Sequence, residues 1–112
     1  MRLTFSLLGC LVLGCATQLP PQQYEAASTT IRAAEEVGAT KVPQAALHLQ
    51  MAKEQSEQAK KMAAQGNAQD AKYLLMRAEA DAELALALAR GDKQKKEAQQ
   101  AVEEVKKLRE AP

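Results

Sequence analysis

Residues 68–90 read AQDAKYLLMRAEADAELALALAR. In this segment small residues recur at steps of three and four, a spacing that places them on one face of an α-helix. That face consists of Ala71, Leu75, Ala78, Ala82, Ala85 and Ala89. Leu74, Leu84 and Leu88 flank it, so the apolar arc is wide enough to contact two other helices together. The segment is therefore predicted to be the central helix of an all-α protein.

Two shorter helices are predicted before it, over residues 21–37 and 43–65. Their stripes have the same spacing: Tyr24, Ala27, Ile31, Ala34 and Gly38 in the first, and Ala45, Leu49, Ala52, Ser56, Ala59 and Ala63 in the second. Stripes of small residues let helix axes approach to the short end of the roughly 8–10 Å range. The predicted fold is a small antiparallel three-helix bundle over residues 22–90. Its helix-turn-helix hairpin is only weakly similar to a tetratricopeptide repeat, since no such repeat recurs.

Four residues mark the predicted turns: Gly38, Pro43, Gly66 and Asn67. Each glycine is a helix stop, because glycine readily adopts the left-handed backbone that follows a helix. Pro43 disfavours helix at the residue before it and can open the next helix. Asn67 can begin the third helix, and Asp70, three residues later, makes a weak variant of a capping box with it.

Residues 91–112 change composition to Lys, Gln and Glu, with a thin apolar stripe at Ala98, Ala101, Val102, Val105 and Leu108. The nine residues from Ala89 to Ala98 turn an α-helix by about 180° relative to the core stripe. Either this tail contacts something other than the hairpin core, or the helix breaks at Gly91 and folds back. A continuous or kinked helix is favoured, because long flanks can absorb the roughly 1 kcal/mol that an interior glycine costs. Val102, Val105 and Leu108 are the predicted partner-binding residues.

The N-terminus has the order of a secretory signal, with Arg2 before an uncharged stretch over residues 3–14. That stretch is shorter than the roughly 20 apolar residues of a membrane span. It ends in Val12-Leu13-Gly14-Cys15, which resembles the lipobox of bacterial lipoproteins. On this interpretation residues 1–14 are a cleaved signal peptide. Cys15 then carries diacylglycerol and an acyl chain such as palmitate, and residues 15–21 form a lipidated tether.

Other interpretations of this region remain open: an ordinary secretory cleavage after Ala16, or a disulfide between Cys10 and Cys15. A lipobox ending at Cys10 would leave an apolar run of only residues 3–8. By the same resemblance, Ala16 rather than Asp after the lipidated cysteine implies the outer membrane of a Gram-negative cell, with the protein facing the periplasm.

Nothing in the sequence favours an enzyme or a nucleic-acid-binding protein. The sequence has 15 Lys and Arg residues and 14 Asp and Glu residues. This balance leaves no excess of positive charge that would bind a polyanion such as nucleic acid. There is no phosphate-binding glycine loop, nucleophile elbow or metal-ligand spacing. We therefore expect no catalytic residues, no metal, no cofactor apart from the covalent lipid, and no small-molecule substrate.

Several single residues have structural interpretations. His48 is expected to be a partly exposed structural histidine, because the adjacent turns of its own helix offer no carboxylate. Glu79, Asp81 and Glu83 alternate along a helix and are expected to form a solvated face. Tyr24 and Tyr73 are expected to fill the core between helices one and three. The expected four-apart ion pairs are Glu57 with Lys61 and Glu103 with Lys107.

The combined pattern resembles a bacterial alanine-rich lipoprotein family catalogued as domain of unknown function 4398. The resemblance rests on the lipobox, Val37-Gly38-Ala39, Pro43 with Ala45 and Leu49, Gly66 with Ala71, and the run Ala78-Glu79-Ala80-Asp81-Ala82-Glu83-Leu84-Ala85. It implies a small helical periplasmic domain. Some members of that family carry an added outer membrane protein A-like domain that binds peptidoglycan, and residues 1–112 contain no such domain.

The predicted function is that of a membrane-anchored periplasmic lipoprotein, a structural or adaptor module of the cell envelope that binds a periplasmic protein. The alternative is an oligomeric coiled-coil spacer similar to murein lipoproteins, which self-associates through the tail. Pro43 and the Gly66-Asn67 turn weigh against that alternative, because they interrupt the heptads. An alanine-lined core buries little area, so association with a partner or a second copy would add stability.

Overall fold

The computed structural model describes residues 21–112, so the signal-peptide, lipobox and Cys15 predictions lie outside the described residues. The described chain is all-α, as predicted, and forms no strand. Its elements are α1 (Pro21–Glu36), a 3₁₀ turn (Ala39–Lys41), α2 (Pro43–Ala64) and α3 (Ala68–Glu110). Between residues 21 and 112, no helix is both long enough and apolar enough to cross a membrane.

The connection between α1 and α2 is built on Gly38 and Pro43. Gly38 has a φ of 91°, in the left-handed region that favours glycine, and its N–H donates to the Glu35 carbonyl at 2.9 Å. Val42 is extended, with φ −110° and ψ 112°, and Pro43 is the first residue of α2. Ala39 in this connection is fully buried, although no helical spacing foretold it.

The connection between α2 and α3 is a Schellman motif centred on Gly66, whose φ is 87°. The N–H of Gly66 donates to the Ala63 carbonyl at 3.0 Å, and the N–H of Asn67 donates to the Met62 carbonyl at 2.9 Å. The predicted capping box is wrong, because the Asn67 side chain makes no cap hydrogen bond. Asn67 closes α2 through its own backbone and has φ −89° and ψ 57°, which is not the extended conformation of a side-chain cap.

The core is almost entirely alanine. Two clusters of buried residues form it, and each draws on all three α-helices. The first contains Ala34, Ala39, Ala45, Leu49, Ala85 and Ala89, and the second contains Ala27, Ala59, Ala71, Leu75 and Ala78. Leu75 is the largest fully buried side chain among the described residues. Contacts of α3 with both α1 and α2 exceed those between α1 and α2, so α3 is the central helix.

The third helix is one continuous element of 43 residues, about 64 Å long, and it passes through Gly91 without a break. A Cβ built at Gly91 would meet nothing within 4 Å. Of the two predicted courses for the tail, the structure has the straight one, and the tail does not fold back. Every side chain from residue 93 onward is exposed, so the apolar stripe of the tail is not buried by any other part of the described chain.

Candidate interaction surface on the third helix

The exposed large apolar side chains of the described chain are concentrated on α3. Leu47 on α2 is the one exception. The six on α3 are Tyr73, Met76, Leu84, Val102, Val105 and Leu108. Isolated exposed apolar residues are normal on protein surfaces, but a set confined to one helix is a candidate binding surface.

The three predicted partner-binding residues all lie on this surface. Val102 is 66% exposed, Val105 is 49% exposed and Leu108 is 71% exposed. Val102 and Val105 line a shallow depression with Ala101, Lys106 and Arg109. About half or more of each of these three side chains is therefore accessible to another molecule.

The apolar surface of the tail continues along α3 onto the part of the helix that packs on α1 and α2, interrupted by the polar residues Gln94 and Arg77. The continuation follows a seven-residue period, with members alternately three and four positions apart. We call these residues the outer seam: Tyr73, Arg77, Ala80, Leu84, Ala87, Gly91, Gln94, Ala98, Ala101, Val105 and Leu108. Every member is exposed. The stripe predicted from the sequence covers only the tail portion of the seam. The seven-residue period that begins at Tyr73 is the sequence pattern that indicates the remaining portion.

The ion pairs near the tail run along α3 and leave the outer seam free. Lys96 Nζ lies 2.7 Å from Asp92 Oδ2, and Lys93 Nζ lies 3.9 Å from Glu97 Oε1. The expected pair of Glu103 with Lys107 does not form within residues 21–112. At such exposed positions an ion pair contributes about 0.2–1 kcal/mol, so these pairs do little to fix the tail.

The second group of interacting polar side chains joins α2 to α3. Nδ1 of His48 lies 3.0 Å from Oδ1 of Asp81, and Nε2 of Gln55 donates to Oδ2 of the same carboxylate at 2.9 Å. His48 is half-buried, but the expectation that Asp81 is solvated is wrong. The partner of His48 comes from another helix, 33 residues away, which the spacing within one helix cannot reveal.

This polar group links α2 to α3 and offers no metal site. Asp81 accepts hydrogen bonds through both carboxylate oxygens, and Oε1 of Gln55 is buried without a hydrogen-bond partner. Among residues 21–112 no group of three or more His, Cys, Asp or Glu side chains could hold a metal ion. We assign the group a structural role, since a carboxylate bonded to two side chains of the facing helix fixes the register of the two helices.

The two tyrosines lie in different environments. Tyr24 is half-buried beside the second core cluster, and Lys60 Nζ of α2 lies 4.7 Å from the centre of its ring. Lys60 also donates to Glu57 at 2.7 Å, so Glu57 pairs with Lys60 and not with Lys61 as predicted. The hydrogen bond to Glu57, followed by the interaction with Tyr24, raises the pKa of Lys60 above its ordinary value.

Tyr73, by contrast, is 57% exposed, so its predicted place in the core is wrong. Ala71 and Leu75 on either side of it are buried, and a residue midway between them points away from the core, because two helical steps turn the side chain by about 200°.

The described residues thus define an all-helical protein whose candidate site is an exposed helix face. Comparisons with protein-family models, curated proteins and solved structures find no match to this chain. The resemblance to the alanine-rich lipoprotein family stays a prediction from the sequence.

Proposed function

We propose that this chain is a membrane-anchored lipoprotein whose periplasmic part is a structural or protein-interaction module of the cell envelope. Two features support the proposal: the lipobox that ends at Cys15, and the uncovered apolar stripe at the far end of α3. Several acyl chains at about 0.8 kcal/mol per buried CH₂ would make the attachment effectively permanent. Anchoring would then require nothing from the helices, and their surfaces would be free to bind a protein.

We further propose that the three helices form an antiparallel bundle. The second core cluster supports this, since it combines Ala27 near the start of α1 with Ala59 near the end of α2 and Ala71 near the start of α3. In this arrangement the tether joins the bundle at one end and the tail leaves from the other. With Cys15 in a bilayer, the last 20 residues of α3 would extend away from the membrane by about 30 Å.

The exposure of the tail is the observation that carries the proposal. It is helical to Glu110, yet every side chain from residue 93 onward is exposed, including those of Val102, Val105 and Leu108. Helices with one apolar face are the usual ligands of apolar grooves and of other helices. The tail therefore supports a role as an adaptor helix held away from the membrane.

The membrane anchor is tested by expressing the full chain and its Cys15→Ala variant in a Gram-negative bacterium with radiolabelled palmitate. We expect the unsubstituted chain to take up label and to sediment with outer membranes, and the variant to do neither. A Cys10→Ala variant is the matched control and should behave like the unsubstituted chain. An unlabelled, soluble chain in all three cases would contradict the anchor.

The adaptor role is tested by placing a photo-crosslinking residue at Val102 in the anchored chain, with the exposed Gln100, about 200° around the same helix, as the control position. Crosslinks to a defined envelope protein from position 102 and not from position 100 are expected. Equal crosslinking from both positions would contradict a specific docking face.

A second candidate function, an oligomeric coiled-coil spacer similar to murein lipoproteins, is favoured by one specific observation. The outer seam keeps a seven-residue period from Tyr73 to Leu108, and such a period is typical of helices that wind around one another. The turns at Pro43 and Gly66 do not interrupt this seam, because the seam lies wholly within α3.

A further inference from the structure

We infer that the outer seam binds a second copy of this chain, with the two α3 helices parallel and in register along their whole shared length. This inference rests on the proposed membrane anchor for its parallel direction. It develops the coiled-coil candidate, because it specifies two copies, their direction and their register, and it extends the contact from the tail to the outer face of the packed region.

The register of the seam follows directly from its spacing. Counted in heptads, Arg77, Leu84, Gly91, Ala98 and Val105 occupy the a positions of a two-stranded coiled coil. The d positions are Tyr73, Ala80, Ala87, Gln94, Ala101 and Leu108. From Tyr73 to Leu108 the seam extends for about 53 Å along the helix.

The contacts of α3 with its own chain leave this seam free. In the same heptad count, the buried residues of α3 fall at the b and f positions: Ala71, Leu75, Ala78, Ala82, Ala85 and Ala89. Those positions lie nearly opposite the a and d positions around the helix. One face of α3 therefore packs on α1 and α2 while the other can pack on a second α3.

The area available reaches the threshold of a specific interface. A strip about 53 Å long and about 10 Å wide covers roughly 500 Å² on each copy, or roughly 1,000 Å² for the pair. This reaches the lower bound expected of a specific interface. The alanines and Gly91 in the seam also let the two backbones approach closely, which increases the contact made per residue.

The charges at the end of the seam are complementary in a parallel pair. In a parallel pair the g position of one helix faces the following e position of its partner, which brings Glu104 against Arg109 of the second copy. Antiparallel pairing over the same length, with Tyr73 against Val105, would bring Arg90 against Arg90 and Glu83 against Glu97, both like-charged, and Asp81 against Lys95, oppositely charged. Parallel pairing has two like-charged contacts of its own, Arg90 against Lys95 and Arg77 against Arg77 at an a position.

The proposed anchor selects the same direction. Two copies attached through Cys15 to one bilayer have their α1 helices starting on the same side. The residues between Cys15 and Pro21 can span only about 20 Å when fully extended, too little for one copy to reverse over a seam of about 53 Å. Both α3 helices then point away from the membrane together.

The pairing is tested by disulfide crosslinking of the full chain in bacterial membranes. All variants carry Cys10→Ser, and single cysteines are introduced as Leu108→Cys and Tyr73→Cys, one near each end of the seam. Glu103→Cys is the matched control, since it is exposed on the same helix at an f position. After mild oxidation we expect a disulfide-linked dimer from positions 108 and 73, and none from 103 or from the chain with Cys10→Ser alone.

Two outcomes overturn the inference. One is the absence of a dimer at positions 108 and 73, or an equal yield at 103. The other is a disulfide-linked dimer that appears only when the Tyr73→Cys and Val105→Cys variants are expressed together, and not when either is expressed by itself. That result would mean antiparallel pairing. Fractionation of the same samples separates this inference from the proposed function. Chains found in the membrane without crosslinks refute the pairing alone, whereas chains found outside the membrane refute the anchor.

Discussion

The two halves of α3 belong to one unbroken helix, yet they face different surroundings. In residues 68–90 the alanine stripe is buried against α1 and α2, and in residues 93–110 every side chain is exposed. The difference arises because α1 and α2 accompany only the first half: Ala34 near the end of α1 and Ala45 near the start of α2 cluster with Ala85 and Ala89, and α3 continues beyond them. The first half holds this chain together, and the second half offers its apolar residues to another molecule.

The largest contrast between the halves is expected for leucine truncation. Leu75 is 1% exposed, and Leu75→Ala should lower the free energy of unfolding by about 2–5 kcal/mol through lost burial and a cavity. Leu108→Ala removes the same atoms from an exposed site. It should change the free energy of unfolding by less than about 0.5 kcal/mol in dilute solution. Urea unfolding followed by circular dichroism measures both, and equal losses would contradict the division of α3 into two halves.

A smaller loss is expected from the polar group between α2 and α3. Asp81→Ala leaves His48 and Gln55 without their shared acceptor and should destabilise the chain by about 1–3 kcal/mol. Glu83→Ala is the matched control, since Glu83 is exposed on the same helix. Thermal unfolding of both variants measures the difference. A result in which the two variants behave alike would mean that the contacts of Asp81 do not fix the α2–α3 register.

These two contrasts also mark what the sequence could predict. The helices and the buried face of α3 could be read from the three-and-four spacing, because that spacing is a property of a single helix. The partner of His48 and the burial of Ala39 could not, because they depend on how separate helices and turns meet. The seam was half predicted, since the dense alanine stripe from Ala71 obscured the seven-residue period that begins at Tyr73. Cys15 and the anchor lie outside the described residues and remain predictions.

A gain is expected where the two halves join. Gly91→Ala should stabilise α3 by about 1 kcal/mol, because Gly91 has a helical backbone and a Cβ there meets nothing within 4 Å. Gly38→Ala is the contrasting variant and should destabilise the chain, since Gly38 has a φ of 91°. Thermal unfolding of the two variants, monitored by the circular dichroism of the helices, tests both expectations. A loss of stability in Gly91→Ala would mean that the helix bends at this position.

The smallest effect concerns one of the two repulsive contacts of the inferred pair, that of Arg90 with Lys95. Arg90→Glu places a carboxylate opposite Lys95 of the second copy and should strengthen dimerisation by about 0.2–1 kcal/mol, mostly at low salt. Sedimentation equilibrium at two salt concentrations measures the shift. Weaker dimerisation in this variant would contradict the parallel register.

The pairing of α3 helices is tested most directly by the mass in solution of the chain that begins at Ala16, measured by light scattering with and without Val105→Asp. We expect a dimer for the unsubstituted chain and a monomer of equal helix content for Val105→Asp, because Val105 is exposed in the seam and lies outside the core. Monomers in both cases would contradict the claim that the exposed half of α3 is completed by a second copy.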